Sequence, residues 1–130
     1  MITPGAVIRE TRTLTQADFD LFAALSGDDN PIHVDAAFSA RTRFGRTVSH
    51  GMLLYSVLWG MVGRHLPVAR QRLQTLMFPN PAYADEPLAF TATVTSVEAE
   101  TVTLAVQAAR VADGALVCDG TATFEFEETR

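Results

Sequence analysis

Hydrophobic residues follow three rhythms along this chain, and each rhythm predicts a different kind of element. From residue 88 onward the period is two: Leu88, Phe90, Ala92 and Val94 alternate with other residues, Val102, Leu104, Val106 and Ala108 repeat the pattern, and residues 115–127 carry it again. Such alternation turns one face of an extended chain toward a core, so strands are expected over 88–97, 101–110 and 115–127. Asp113-Gly114 suits the hairpin turn between the last two. A further strand is expected over 73–78, and residues 6–13 read as a short edge strand.

In the middle of the chain periodicity disappears because almost every position is apolar. Met52, Leu53, Leu54, Tyr55, Val57, Leu58, Trp59, Met61 and Val62 fill a helix expected from Ser49, its cap, to about Leu66, with Pro67 closing it. A helix apolar on nearly every side has to be buried nearly all round. The third rhythm is helical: Phe19, Phe22 and Leu25 form the apolar face of an earlier helix. Thr15 and Asp18 are spaced as a capping box, Leu14 and Phe19 as a staple, and Gly27 ends the helix. Asp35 caps a second short helix over 36–43, terminated by Gly45.

One buried helix followed by about four strands is an α+β arrangement in which an antiparallel sheet wraps the helix. In so short a chain the side left open calls for a second copy of the same chain. The 130 residues suit one domain, 1–130, without repeats or a linker. Composition adds exclusions: 48% hydrophobic and 19% charged residues are ordinary for a globular chain. A net charge of −5, with all ten basic residues arginine and mostly scattered, gives phosphate backbones no attraction, so no nucleic-acid partner is expected. The single cysteine, Cys118, forms no internal disulfide, which fits a cytoplasmic location. The first residues lack a signal-peptide pattern, and the longest apolar run, 52–62, is too short to span a bilayer and is interrupted by Ser56 and Gly60, so no membrane association is expected.

Candidate chemistry concentrates in residues 26–33, S-G-D-D-N-P-I-H. By itself Asp-Asp-Asn-Pro is a common turn whose carboxylates bond nearby N–H groups. Joined to His33 and to the downstream Ser49-His50-Gly51, it becomes a carboxyl and an imidazole on a backbone stiffened by Pro31, which is what acid/base chemistry requires. Asp29 reads as solvated or capping, His50 as a helix-start residue bonded to a carbonyl, and His65 with Arg64 as complements to a helix dipole.

The run F-A-A-L-S-G-D-D-N-P-I-H-V-D-A-A-F-S-A-R-T-R-F-G-R-T-V-S-H-G-M-L, residues 22–53, resembles the hydratase signature of the MaoC-like family, specifically the (R)-specific enoyl-CoA hydratases. F-P-N-P-A-Y-A-D-E, residues 78–86, is similar to that family's later landmark, although Ala84 stands where glycine is usual and leaves the geometry of that turn open. The resemblance implies a hot-dog fold, an antiparallel sheet around a long central helix, paired into homodimers or assemblies of dimers. It implies that Asp28 and His33 act as acid and base on one water, that Asn30 helps hold that water, and that the Gly51 N–H binds the thioester oxygen. Substrate-binding positions implied are Ser49, His50, Met52, Tyr55, Trp59 and Arg43, with Trp59 shortening the acyl pocket and Arg41, Arg43 and Arg46 near the phosphates. No metal and no cofactor are implied, the CoA thioester being the substrate.

Three other readings stay open at this point. A non-catalytic acyl-CoA binder would keep the fold without needing a general base. A 3-hydroxyacyl-carrier-protein dehydratase would run the same site in reverse. A hot-dog thioesterase fits less well, because residues 51–66 contain neither Asp nor Glu.

Overall fold

The first strand, β1 (Val7–Thr13), leads directly into a capping box. Thr15 Oγ1 accepts from the Asp18 N–H at 3.2 Å and Asp18 Oδ2 accepts from the Thr15 N–H at 2.8 Å, which starts helix α1 (Gln16–Ser26). Leu14 and Phe19, the staple pair, are both buried in the core, and Gly27 ends the helix in the left-handed region at φ 82°. The expected apolar face is only partly correct: Phe22 packs on the core, whereas Leu25 is 81% exposed. The computed structural model describes residues 2–127; Met1 and residues 128–130, the ends of the 1–130 span expected above, lie outside the described residues.

Where only a turn is expected, Asn30 caps a short helix α2 (Pro31–Val34), accepting from the Ile32 N–H at 3.2 Å while Pro31 occupies the first turn. Asp35 caps α3 (Ala36–Ala40), which stops before the predicted residue 43. There Arg41 and Thr42 bond back three residues, to Phe38 and Ser39, and tighten the chain out of the helix. The central helix α4 (Gly51–His65) is capped by His50, not Ser49. Ser49 is held extended by its N–H bond to Ala82 O at 2.7 Å, and its hydroxyl donates to His50 O, so the helix begins one residue later.

Four more strands follow: β2 (Val68–Gln74), β3 (Pro87–Val97), β4 (Thr101–Arg110) and β5 (Leu116–Phe126). They join β1 in one antiparallel sheet of order β1-β3-β4-β5-β2, leaving β1 and β2 as edges. The predicted 73–78 strand is displaced. β2 starts right after Pro67, and its Arg70 and Arg72 both reach Glu125, at 2.7 and 3.0 Å, so a polar edge strand conceals its pattern from a hydrophobic reading. The β4–β5 hairpin is wider than a two-residue turn: the Arg110 N–H bonds Ala115 O at 2.9 Å, and Gly114 takes the left-handed position. At the 78–86 landmark the left-handed residue is Asp85, φ 66°, so Ala84 needs no glycine-like conformation.

The sheet curls around α4 in the hot-dog arrangement. Large and small inward residues face each other across strands, Phe90 with Ala108, Leu104 with Ala122 and Phe124 with Val102, and leave an even surface for Leu54, Leu58, Met61 and Val62. Burying each such helix side chain contributes roughly 1.5–3 kcal/mol. Burial of α4 is not complete in a single chain. Met52 and Trp59 are 50% and 51% exposed and, with partly buried Tyr55, mark an uncovered stripe. Cys118 is fully buried, and that burial pushes its thiol up to about 11. Among the described residues no helix is long and apolar enough to cross a membrane.

Candidate active site

His33 is fixed by its surroundings in one tautomer. Its Nδ1 lies 2.8 Å from the carbonyl oxygen of Val48, and a carbonyl only accepts, so Nδ1 carries the proton and the neutral ring keeps its lone pair on Nε2. Val48 returns a bond from its N–H to Ile32 O at 2.9 Å, tying α2 to the segment that leads into α4. Gln16 adds a second brace, donating to His33 O at 2.9 Å and accepting from the Thr47 hydroxyl at 2.6 Å. The ring is nearly buried, while Nε2 faces the Asp28 carboxylate, Oδ2, at 3.7 Å. That separation is too long for a direct hydrogen bond, and a water shared by the two groups would lie beside them and not between them.

Asp28 sits on the short loop between α1 and α2. Its side chain is 56% exposed, and its own N–H is held by Ser26 Oγ at 3.1 Å. Behind it lies His50, 2% exposed, whose Nε2 donates to the Asp28 carbonyl oxygen at 2.8 Å. The rings of His50 and His33 stack at 3.8 Å and 23°, and Phe22 covers His50 at 4.9 Å. Burial first, and the neighbouring His33 in addition, hold the proton affinity of His50 below the usual imidazole range. Side-chain atoms of Asp28, His33 and His50 come within 4.8 Å of one another, a grouping that invites a metal reading. Stacked rings keep their in-plane lone pairs in nearly parallel planes, which is a poor arrangement for convergence on one ion.

Gly51 opens α4, so its N–H is one of the four without a partner inside the helix, at the positive end of the dipole. The ring of Phe78 lies flush against it: a Cβ on Gly51 would stand 2.7–2.9 Å from three ring carbons. Together Gly51, Ser49, Arg43 and Phe78 line a groove of about 220 Å³, with the Arg43 guanidinium over the Phe44 ring at 4.9 Å. Arg46 is engaged elsewhere, bonded to Glu86 at 3.0 Å and Ala84 O at 3.1 Å and stacked on Tyr83. His65 and Arg64 stand in the last turn of α4, as the dipole reading expects, and both also reach Glu10 of β1, His65 at 2.8 Å and Arg64 at 2.6 Å.

The structure therefore gathers Asp28, His33 and His50, sets Gly51 next in the chain, and puts Ser49 and Arg43 in the adjoining groove. Asn30 belongs to the same loop, but its carboxamide oxygen is spent on the α2 cap. Met52, Tyr55 and Trp59 are not gathered. They follow the exposed stripe of α4, with the Tyr55 hydroxyl bonded to Gln71 of β2. A second groove, about 520 Å³ between α1 and α4, is lined by Phe22, Leu53, Ser56 and Val57 and contains neither Asp28 nor His33. Sequence reasoning missed Gln16 and the Val48 carbonyl. A glutamine at a helix start looks solvent-facing in sequence, and a backbone carbonyl has no sequence signal.

Residues 3–115 match the model of the MaoC-like domain. An (R)-specific enoyl-CoA hydratase of Aeromonas caviae is 46% identical over 63 residues, 48% of this chain and 47% of that protein. A 3-hydroxyacyl-[acyl-carrier-protein] dehydratase of Arabidopsis thaliana is 34% identical over 83 residues, 64% and 50% of the two chains, so these alignments span about half of either relative. An (R)-specific enoyl-CoA hydratase of Rhodospirillum rubrum is 32% identical over 124 residues, covering 94% of this chain and 86% of that one. Among solved structures, the (R)-hydratase from A. caviae involved in PHA biosynthesis superposes with a TM-score of 0.92 at 32% identity, covering 97% of this chain and 98% of that chain. The unliganded (R)-hydratase from Pseudomonas aeruginosa gives 0.91 at 31%, covering 98% and 84%.

Proposed function

The chain belongs to the MaoC-like domain family, and from that premise we propose that it hydrates trans-2-enoyl-CoA to (R)-3-hydroxyacyl-CoA, and dehydrates it in reverse, in the cytoplasm and within one hot-dog domain. The supporting observation is the tautomer of His33: the Val48 carbonyl leaves the Nε2 lone pair free on the side of Asp28, 3.7 Å away, where one water flanking the two groups can bond to both. In the proposed step Nε2 takes a proton from that water as its oxygen bonds to C3, and the imidazolium so formed passes it to the Asp28 carboxylate. Asp28 delivers it to C2, so that one water supplies both hydroxyl and hydrogen and both groups end as they began. The Asn30 amide N–H, its oxygen being held by the α2 cap, steadies the water, and the Gly51 N–H meets the negative charge that grows on the thioester oxygen, an interaction whose loss typically costs about 3 kcal/mol of transition-state stabilisation. The reaction as proposed draws only on side chains and one backbone N–H.

Loss of enoyl-thioester absorbance on mixing purified protein with crotonyl-CoA is the direct test. Hydration to the (R) product is expected. Saturable binding without turnover, for crotonyl-CoA and for longer enoyl-CoAs, would favour the binder instead.

The uncovered stripe on α4 supports a homodimer, and Leu73 and Met77, exposed on and just beyond the edge strand β2, add further apolar surface. Light scattering is expected to give twice the 14.1 kDa chain mass, and a monomer would remove this part of the reading. A shortened acyl pocket rests on the resemblance alone, because Trp59 lines neither groove beside the site. kcat/KM is expected to fall from four-carbon to twelve-carbon enoyl-CoA, with Trp59→Ala relieving the fall. A steady rise with length in the parent would reject it.

A further inference from the structure

His50 touches every part of the site without facing solvent. Its Nε2–H holds the Asp28 carbonyl, its ring lies against that of His33, and its own peptide bond leads to Gly51. Its Nδ1 is buried and has no partner among the described residues. Because a carbonyl only accepts, the proton of the neutral ring is on Nε2 and Nδ1 bears a lone pair. Adding a proton there would create an N–H with nothing to bond, beside a second imidazole. The titratable groups facing it are His33 and Asp28, and Phe22 covers it from α1.

We infer that His50 is the positioning residue of the site: as a permanently neutral Nε2–H imidazole it holds the loop bearing Asp28, the ring of His33 and the first residue of α4 in one geometry. It takes no proton from substrate and acts only through these neighbours. The inference rests on the hydratase reading above and adds a role for a residue that reading leaves idle. The need for it is geometric. Asp28 is on a loop and its side chain is more than half exposed, so few contacts fix the carboxylate opposite Nε2. Displacement of reacting groups by about 1 Å can cost on the order of 10²-fold in rate.

Two substitutions separate positioning from mere filling. His50→Phe keeps an aromatic slab under His33 and loses the donor; His50→Gln loses the slab and keeps an amide N–H at about the reach of Nε2. With crotonyl-CoA, His50→Phe is expected to lose ~10²-fold in kcat with KM nearly unchanged, and His50→Gln to recover at least ~10-fold of that loss. A His50→Phe protein with parental kcat, or a Gln protein no better than the Phe one at equal stability, would overturn the inference.

Nitrogen-15 spectra of the imidazoles provide a readout independent of turnover. His50 is expected to remain a neutral Nε2–H ring from pH 7.5 to 5.5. Ordinary titration in that range, or a proton on Nδ1, would overturn the inference, including where His50→Phe does not fold. Should the parent itself not hydrate enoyl-CoA, the reaction assigned above fails, and the spectra still decide whether His50 is locked.

Discussion

Replacing Asp28 by asparagine is expected to abolish most enoyl-CoA hydration while leaving the protein as stable as its parent. The carboxylate makes its nearest charged approach to His33 at 3.7 Å and its side chain is 56% exposed, so little packing depends on it. Exposed substitutions of this kind usually alter stability by no more than about 0.5 kcal/mol. A group that donates or accepts a proton in the transition state, by contrast, contributes ~10²–10⁴-fold to rate. His33→Ala should lose activity to a similar degree, but less cleanly. It also removes the bond to Val48 O and leaves that buried carbonyl unpaired, at a cost of roughly 1–3 kcal/mol. Initial rates and melting curves for both proteins decide the matter. Either variant retaining more than a tenth of parental kcat would remove its residue from the acid/base pair.

Gly120→Ala is expected to be the most damaging single methyl in the molecule. Gly120 is in β5 opposite Val106, but the close approach is from the other side, where residues 75–77 run past on their way from β2. The Thr75 N–H bonds Thr121 O at 2.9 Å, and Met77 and Asp119 exchange a pair of bonds at 2.7 and 2.9 Å. Those bonds pin the Thr75 peptide against the Gly120 Cα. An alanine Cβ would lie 2.9 Å from its carbonyl carbon and still nearer its oxygen, and backbone clamped on both flanks cannot yield. Overpacking typically costs about 1–3 kcal/mol where side chains can shift, and here they cannot, so the upper end or beyond is expected. For a chain of this length that is a fall of ~10 °C or more in melting temperature. A variant that melts within a degree or two of its parent would show that residues 75–77 are free to move. The substitution should also disturb the groove at Gly51, because the same segment delivers Phe78 to it.

How much of this was legible in the sequence differs from element to element. β3, β4 and β5 were legible because one face of each is buried, so their side chains had to alternate. The α1 cap was legible because Thr15 and Asp18 are three residues apart and the bonds are local. β2 was not, since an edge strand with its charges paired to Glu125 has no hydrophobic period to read. Nor was the start of α4, because Ala82, thirty-odd positions away, decides that Ser49 remains extended. In the site, the Asp28–His33 spacing was evident because both belong to one short loop and helix. The tautomer of His33 was hidden in a backbone carbonyl. The stacking of His50 on His33 joins segments that only the folded chain brings together.

The burial of Cys118 gives the protein a redox property that its lone thiol would not suggest. Oxidants and alkylating agents attack the thiolate, and a thiol pushed up to about 11 with no exposed surface offers almost none at neutral pH. Sulfenic acid formation, glutathione capping and cross-linking between chains therefore all wait for β5 to separate from β4. The folded sheet serves as the protecting group of its own sulfur, and oxidative damage at this position becomes a record of how often the sheet has opened.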